Sequence, residues 1–227
     1  MRIVSDQNWI ADLPDQARSE LLQAMKIMNF ERGDVITQVG DKARRVHQLR
    51  TGYAKVFVDT PDGGQAILAL YGPGNCFSET AVISDRCNNH MTVAATSCAV
   101  AAIDREAFMD LYERHPAIPD LLCRKFANIV TSMLSFRVTA AASPIRNQIG
   151  VLFNNLLTYC SEDAGAPARR LIAPITIKEI SAILGVSRQT IHKEIQYFRD
   201  NGIIDRDNDD WLILSPQALQ AVAVAID

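Results

Sequence analysis

The sequence predicts an α+β protein made of an N-terminal β-roll of jelly-roll type, one long helix and a C-terminal winged helix-turn-helix. Three observations carry that prediction. Short apolar segments punctuated by Gly33, Gly40, Gly52, Gly63, Gly64, Gly72 and Gly74 occupy the first half of the chain. A 4-3 repeat of apolar residues follows. Near the C-terminus, the order of apolar, small and turn residues is that of two helices, a tight turn and a hairpin. The expected divisions are 1–116 for a sensor domain, 117–142 for a dimerisation helix and hinge, and 143–227 for a DNA-binding domain.

In the first division a leading helix is expected from about Asp15 to Met28. Strands are expected at Val46–Leu49, Ala54–Val58, Gln65–Leu70 and Thr92–Ile103, with turns at Thr60–Gly64 and Tyr71–Gly74. Asp104 is placed to cap a second helix that runs to Arg114, with His115 at its end.

After Pro119, Leu122, Phe126, Ile129, Met133, Phe136 and Ala140 recur at alternating steps of 4 and 3. Two helices wrapped around each other require that spacing, so Leu122, Phe126, Ile129, Met133 and Phe136 are the expected interface of a homodimer. A second stripe, Val130, Leu134 and Val138, is expected to face the chain's own roll. Ser143 before Pro144 reads as the cap of a new helix with proline at its first position, marking the hinge.

The stretch from Thr176 to Lys193 carries the functional signal. Thr176 and Glu179 form a T-x-x-E capping box ahead of Ile180, Ile183 and Leu184, and Gly185 supplies the residue that turns the chain. Ser187 can then cap a second helix on which Ile191, Ile195 and Phe198 face inward. Arg188, Gln189, His192, Lys193 and Gln196 are left outward, the donor types that read base edges in a major groove, while Ser187 and Thr190 are expected on phosphates. Beyond Asn201-Gly202, Ile203-Ile204 and Trp211–Leu214 read as the strands of a wing with an acidic turn, Asp207 to Asp210, expected to point away from DNA or to touch a protein. Double-stranded DNA is therefore the expected partner.

Charge distribution agrees. The formal net charge is -3, yet from Arg169 to Asp200 six basic residues (Arg169, Arg170, Lys178, Arg188, Lys193, Arg199) stand against three acidic ones (Glu179, Glu194, Asp200), a local balance of +3. The five cysteines are odd in number and form no C-x-x-C pair, which argues against a disulfide framework. No apolar run reaches the length of a membrane span and the first residues lack a signal-peptide core, so a cytoplasmic protein without a membrane partner is expected. Walker, G-x-S-x-G, H-E-x-x-H and dinucleotide patterns are missing, so no enzyme is expected.

With these motifs in order the chain resembles the family of the bacterial catabolite activator protein and the fumarate-nitrate reduction regulators. The residues are Glu31 to Ile36 with Gly40-Asp41, Val46 to Leu49 with Gly52, Gly72 to Gly74 with Ser78 to Val82, and the helix-turn-helix. The resemblance spans nearly the whole chain and implies a cyclic-nucleotide-binding-type β-roll under effector control, a homodimer, an inverted-repeat operator with a TGTGA-like half-site, and action on RNA polymerase. It carries the base-reading roles onto Arg188, Gln189 and Lys193.

The nucleotide-binding members carry a Gly-Glu pair followed on the same loop by Arg and Ser or Thr. Here Ser78-Glu79 stands at the pair and Asn89-His90 at the second site, while Met133-Leu134 stand where the family's polar pair meets adenine. Glu79 could accept ribose hydroxyls, but Asn89 brings no positive charge for a phosphodiester. The expected effector pocket is Glu79, Thr80, Arg86, Asn89, His90, Met133 and Leu134, with Arg86 as a substitute cation and cyclic AMP not the effector. The effector itself is unnamed by these residues, and no metal ligand set is assigned. The alternatives are a haem or metal sensor using Cys76, Cys87, His90 and His47, a regulator that needs no ligand, and the regulatory subunit of an enzyme.

Overall fold

The computed structural model describes residues 8–59, 65–172, 175–208 and 210–224, with the side chains of 135–142 and 224 outside that description. The turn expected at Thr60–Gly64 lies outside the described residues. Two compact units are formed: Ser5–Asp59 with Leu70–Thr131, and Met1–Val4 and Thr60–Ala69 with Ser132–Asp227.

Helix α1 (Asp15–Ala24) opens the N-terminal part and is followed by β1 (Lys26–Phe30), β2 (Val35–Thr37), β3 (Arg45–Thr51), β4 (Ala54–Asp59), β5 (Gln65–Tyr71) and β6 (Cys76–Phe77). Then come α2 (Glu79–Ile83), β7 (Met91–Ala94), β8 (Cys98–Asp104), α3 (Arg105–Arg114) and α4 (Ala117–Ala142). The strands form two sheets, β1-β8-β3-β6 and β2-β7-β4-β5. Alternation along β3 and β8 sends side chains to two cores. Val46 and Ile103 join Trp9, Leu21, Phe108, Leu111, Ile118 and Leu122 against the helices, while Leu49, Val100 and Cys98 join Ala54, Phe77 and Ala94 between the sheets.

The leading helix is shorter than expected. Met25 leaves it in extended backbone, and Lys26–Phe30 pairs residue for residue with β8, so a full antiparallel ladder replaces the expected last turn. The single strand expected over Thr92–Ile103 is two, broken at a corner where the backbone N–H groups of Ala95 and Thr96 both reach the Tyr53 carbonyl. Gly52 permits that corner: a Cβ there would lie 2.2 Å from the Ser97 carbonyl oxygen. Asp104 does precede α3, but its carboxylate bonds Arg45 at 2.8 Å rather than the helix N–H groups. The long helix begins at Ala117, before Pro119, whose missing N–H falls in the first turn where it breaks no helical bond.

The C-terminal part contains α5 (Ile145–Tyr159), β9 (Ser161–Asp163), β10 (Arg169–Leu171), α6 (Ile177–Leu184), α7 (Arg188–Asp200), β11 (Ile204–Asp207), β12 (Asp210–Ile213) and α8 (Pro216–Val224). Its sheet runs β11-β12-β10-β9, so the wing hairpin gains two strands not expected from sequence. Pro144 occupies the N-cap position of α5 without a side-chain cap bond, and Ser143, expected as the cap, stands one residue further out, its carbonyl accepting from the Gln148 amide at 2.9 Å. Phe153 meets Trp211 edge-on at 5.1 Å, and the Trp211 indole N–H donates to the Ile175 carbonyl at 2.8 Å. Among the described residues no helix is long and apolar enough to cross a membrane.

Candidate functional site

Helices α6 and α7 are joined as the residue order predicts. The Thr176 hydroxyl accepts the Glu179 N–H at 3.2 Å while the Glu179 carboxylate accepts the Thr176 N–H at 2.8 Å, which completes the capping box. Gly185 adopts φ 66° and redirects the chain. The Ser181 hydroxyl holds the turn by donating to the Val186 carbonyl. Ser187 caps α7, accepting the Thr190 N–H at 3.1 Å, and its Oγ lies 2.9 Å from Thr190 Oγ1. Ile191, Ile195 and Phe198 are buried, which turns the opposite face of α7 outward.

On that face Arg188, Gln189, His192 and Lys193 are exposed, and none has a polar partner among the described residues. The other polar groups of the helix are engaged. Gln196, expected among the free groups, bonds Asp200 at 2.7 Å. The Glu194 carboxylate is held by Arg146 of α5 at 2.7 Å, and that guanidinium also lies 3.5 Å from the centre of the Tyr197 ring. Arg146 thereby withdraws the one carboxylate in the middle of α7.

The local excess of +3 counted from sequence is not the charge of this face. Arg169 pairs with Asp163, Arg199 with Asp205, and Arg170 with Asp207 and Asp210 at 2.8 and 3.1 Å. Asp207 and Asp210 of the wing turn are thus paired from β10, a pairing that sequence order hides because 37 and 40 residues separate the partners.

The two stripes of α4 are not divided as expected. Leu122 is 1% exposed in the core against Trp9, Phe108 and Ile118, and Phe126 packs on the same cluster. Val130 and Leu134, expected to face the roll, are 56% and 61% exposed, with Met133 beside them at 58%. Ile129 is half-buried, and the side chains of Phe136, Val138 and Ala140 lie outside the described residues. The exposed positions Cys123, Ala127, Val130 and Leu134 follow a 4-3-4 spacing, so a heptad stripe exists, offset from the one expected.

Below α4 the roll holds a buried ion pair. Lys125 Nζ lies 2.7 Å from Glu79 Oε1 and donates to the Cys76 carbonyl at 2.6 Å; the Trp9 indole N–H donates to the same Glu79 oxygen at 2.9 Å. Glu79, expected to accept ribose hydroxyls, is 3% exposed and already engaged. Thr80, Arg86 and Asn89 are exposed, and His90 Nδ1 lies 2.8 Å from Asn89 Oδ1. A cleft of about 390 Å³ in the roll is lined instead by Thr37, Arg44, His47, Ser78 and Asn88 among others. His47 stacks on Phe77 at 4.9 Å, its Nδ1 lies 3.3 Å from Ser78 Oγ, and burial with Arg45 nearby pushes its pKa down to about 4.

Of the residues considered for a metal or haem, Cys76 lies in the core beside the helices, its thiol pushed well up by burial and then by Glu79, and Cys87 is exposed. Among the described residues no three His, Cys, Asp or Glu side chains converge on one point. Trp9, Lys125 and Arg146 were not anticipated. Lys125 had a signal, since it stands in step with core-facing Ile118 and Leu122, where an ammonium needs a buried partner.

Two family models match the chain in this order: the cyclic nucleotide-binding domain over residues 27–115 and the Crp-like helix-turn-helix domain over 153–222. The chain belongs to the CRP/FNR family of transcription regulators. Over 207 residues it is 22% identical to a CRP-like cAMP-activated global transcriptional regulator of Mycobacterium tuberculosis, covering 89% of this chain and 90% of that protein. The cyclic AMP receptor protein of Thermus thermophilus is 24% identical over 184 residues, 77% of each chain. The fold is shared with FixK2 from Bradyrhizobium japonicum at a TM-score of 0.74 and 15% identity, covering 89% of this chain and 99% of that one. A CooA variant from Carboxydothermus hydrogenoformans matches at 0.70 and 15%, covering 96% of both. As a CRP/FNR regulator the chain carries a helix-turn-helix of the DNA-binding type, and α6 and α7 are its two helices.

Proposed function

We propose that this CRP/FNR regulator acts as a homodimer on an inverted-repeat operator, reading base edges with Arg188, Gln189, His192 and Lys193 while Ser187 and Thr190 meet phosphates. The observation that carries the reading is the cluster of four exposed side chains, without polar partners among the described residues, on the first two turns of a capped helix. A two-fold dimer sets such helices about 34 Å apart, so the half-sites should be spaced by one turn of DNA. In vitro selection of binding sites tests this, and enrichment of no inverted repeat, even with cell extract added, would defeat it.

The dimer interface is assigned to the exposed stripe Cys123, Ala127, Val130 and Leu134 with Met133, in place of the seam led by Leu122 and Phe126. Val130→Glu sets a carboxylate on each side of the two-fold axis and should leave a folded monomer in sedimentation at micromolar concentration. A dimeric Val130→Glu variant would remove the stripe from the interface.

The effector is proposed not to be cyclic AMP, although relatives carry that molecule in their names. Support comes from Asn89 in place of a cation and from Glu79 already held by Lys125 and Trp9. Low-micromolar binding in calorimetry, coupled to tighter DNA binding, would refute this. The same ion pair favours a second reading, a regulator that needs no ligand. Mass spectrometry of small molecules released from the purified protein separates the two readings.

A further inference from the structure

Resting on the reading of α7 as the DNA-contacting helix, we infer that Gln189 selects an adenine at one position in each half-site. The basis is the donor and acceptor inventory of the face. Arg188 and Lys193 carry donors only, and the two ring nitrogens of the exposed His192 are separated by the ring, so they do not present a donor and an acceptor to one base edge side by side. The neighbouring carboxylate is withdrawn, since Glu194 is held by Arg146 at 2.7 Å, and the Gln196 amide is tied to the last residue of the helix by donating to Asp200 at 2.7 Å. The hydroxyls of Ser187 and Thr190 face each other at 2.9 Å, and Ser187 Oγ also caps the helix. Gln189 is exposed on the first turn with no polar partner among the described residues, so its amide brings an N–H donor and a carbonyl acceptor together.

In the major groove, adenine is the base that offers an acceptor and a donor side by side, at N7 and N6, and the amide matches that pair with two hydrogen bonds. Guanine offers two acceptors and rejects the amide carbonyl. Cytosine offers one donor, which a carboxylate would take. Gln189→Glu should therefore convert the adenine into a cytosine without altering the positions read by Arg188. The fold is not at risk, because residue 189 is exposed and a negative charge in the first turn suits the helix dipole.

The test is in vitro selection with full-length wild type, Gln189→Ala and Gln189→Glu, each with and without the small-molecule fraction of a cell extract. The wild type is expected to enrich an inverted repeat with one adenine per half-site favoured roughly ten- to a hundredfold over other bases. That preference should disappear at this position alone in Gln189→Ala and turn to cytosine in Gln189→Glu. If the alanine variant relaxes a position where the wild type selects another base, or if the glutamate variant keeps the wild-type site, the assignment of Gln189 to adenine is overturned. If the wild type enriches no repeat at all, the reading of α7 fails first and takes this inference with it.

Discussion

At Glu79 a carboxylate that is 3% exposed already holds the Trp9 indole at 2.9 Å and the Lys125 ammonium at 2.7 Å, whereas on α7 Arg188, Gln189, His192 and Lys193 stand exposed without polar partners among the described residues. Both places carry residues that the sequence leads one to expect on a ligand. The first is closed by its own protein and the second is open. A charged side chain that finds an internal partner contributes to the fold and is withheld from a ligand, because a ligand must then displace a desolvated ion pair. One that finds none remains available for recognition.

The widest separation of the two regions should come from removing one lysine from each. Lys125→Met leaves Glu79 buried without its cation, and a loss of about 3–5 kcal/mol in denaturant-unfolding stability is expected. Lys193→Met should change stability by less than about 0.5 kcal/mol while weakening DNA binding. Equal effects on stability would erase the distinction.

Acid provides the next test of the closed region. The buried imidazole of His47 titrates near 4 in the folded chain and near 6.5 when unfolded, so between those values the unfolded chain binds more protons. Stability is therefore present above about pH 6.5 and lost as pH falls toward 4, by on the order of 3 kcal/mol. His47→Phe keeps a ring against Phe77 and should flatten that limb of the stability-pH curve. An unchanged limb in urea titrations at several pH values would place its origin elsewhere.

The smallest effect is expected on the open region. Arg188→Ala should leave the melting temperature unchanged and lower operator affinity by about 1–3 kcal/mol per half-site, with relaxed preference at one guanine. Fluorescence anisotropy against the selected site and against variants at that guanine measures both. A variant that keeps the same discrimination would remove Arg188 from base reading.

Much of the fold was legible in the sequence because its signals are local. The capping box at Thr176 and Glu179, the left-handed turn at Gly185 and the inward Ile191, Ile195 and Phe198 depend on residues within a few positions of one another, and all stand as expected. The roll strands followed from alternation and glycine turns, although the ladder of Lys26–Phe30 with β8 overrode a helical pattern. The exposed residues of α7 were legible for the same reason, since helical periodicity alone turns them away from the core.

What tertiary structure decided was which polar groups and which helix face remain free. Glu79 meets Lys125 across 46 residues and Arg146 meets Glu194 across 48, so no local pattern announces either pair. The 4-3 spacing on α4 is satisfied by two stripes, and only packing against Trp9, Phe108 and Ile118 buries Leu122 and leaves Val130 and Leu134 outside. Periodicity depends on spacing along the chain and can be read from the sequence. Burial and ion pairing depend on distances in space, which only the folded chain defines.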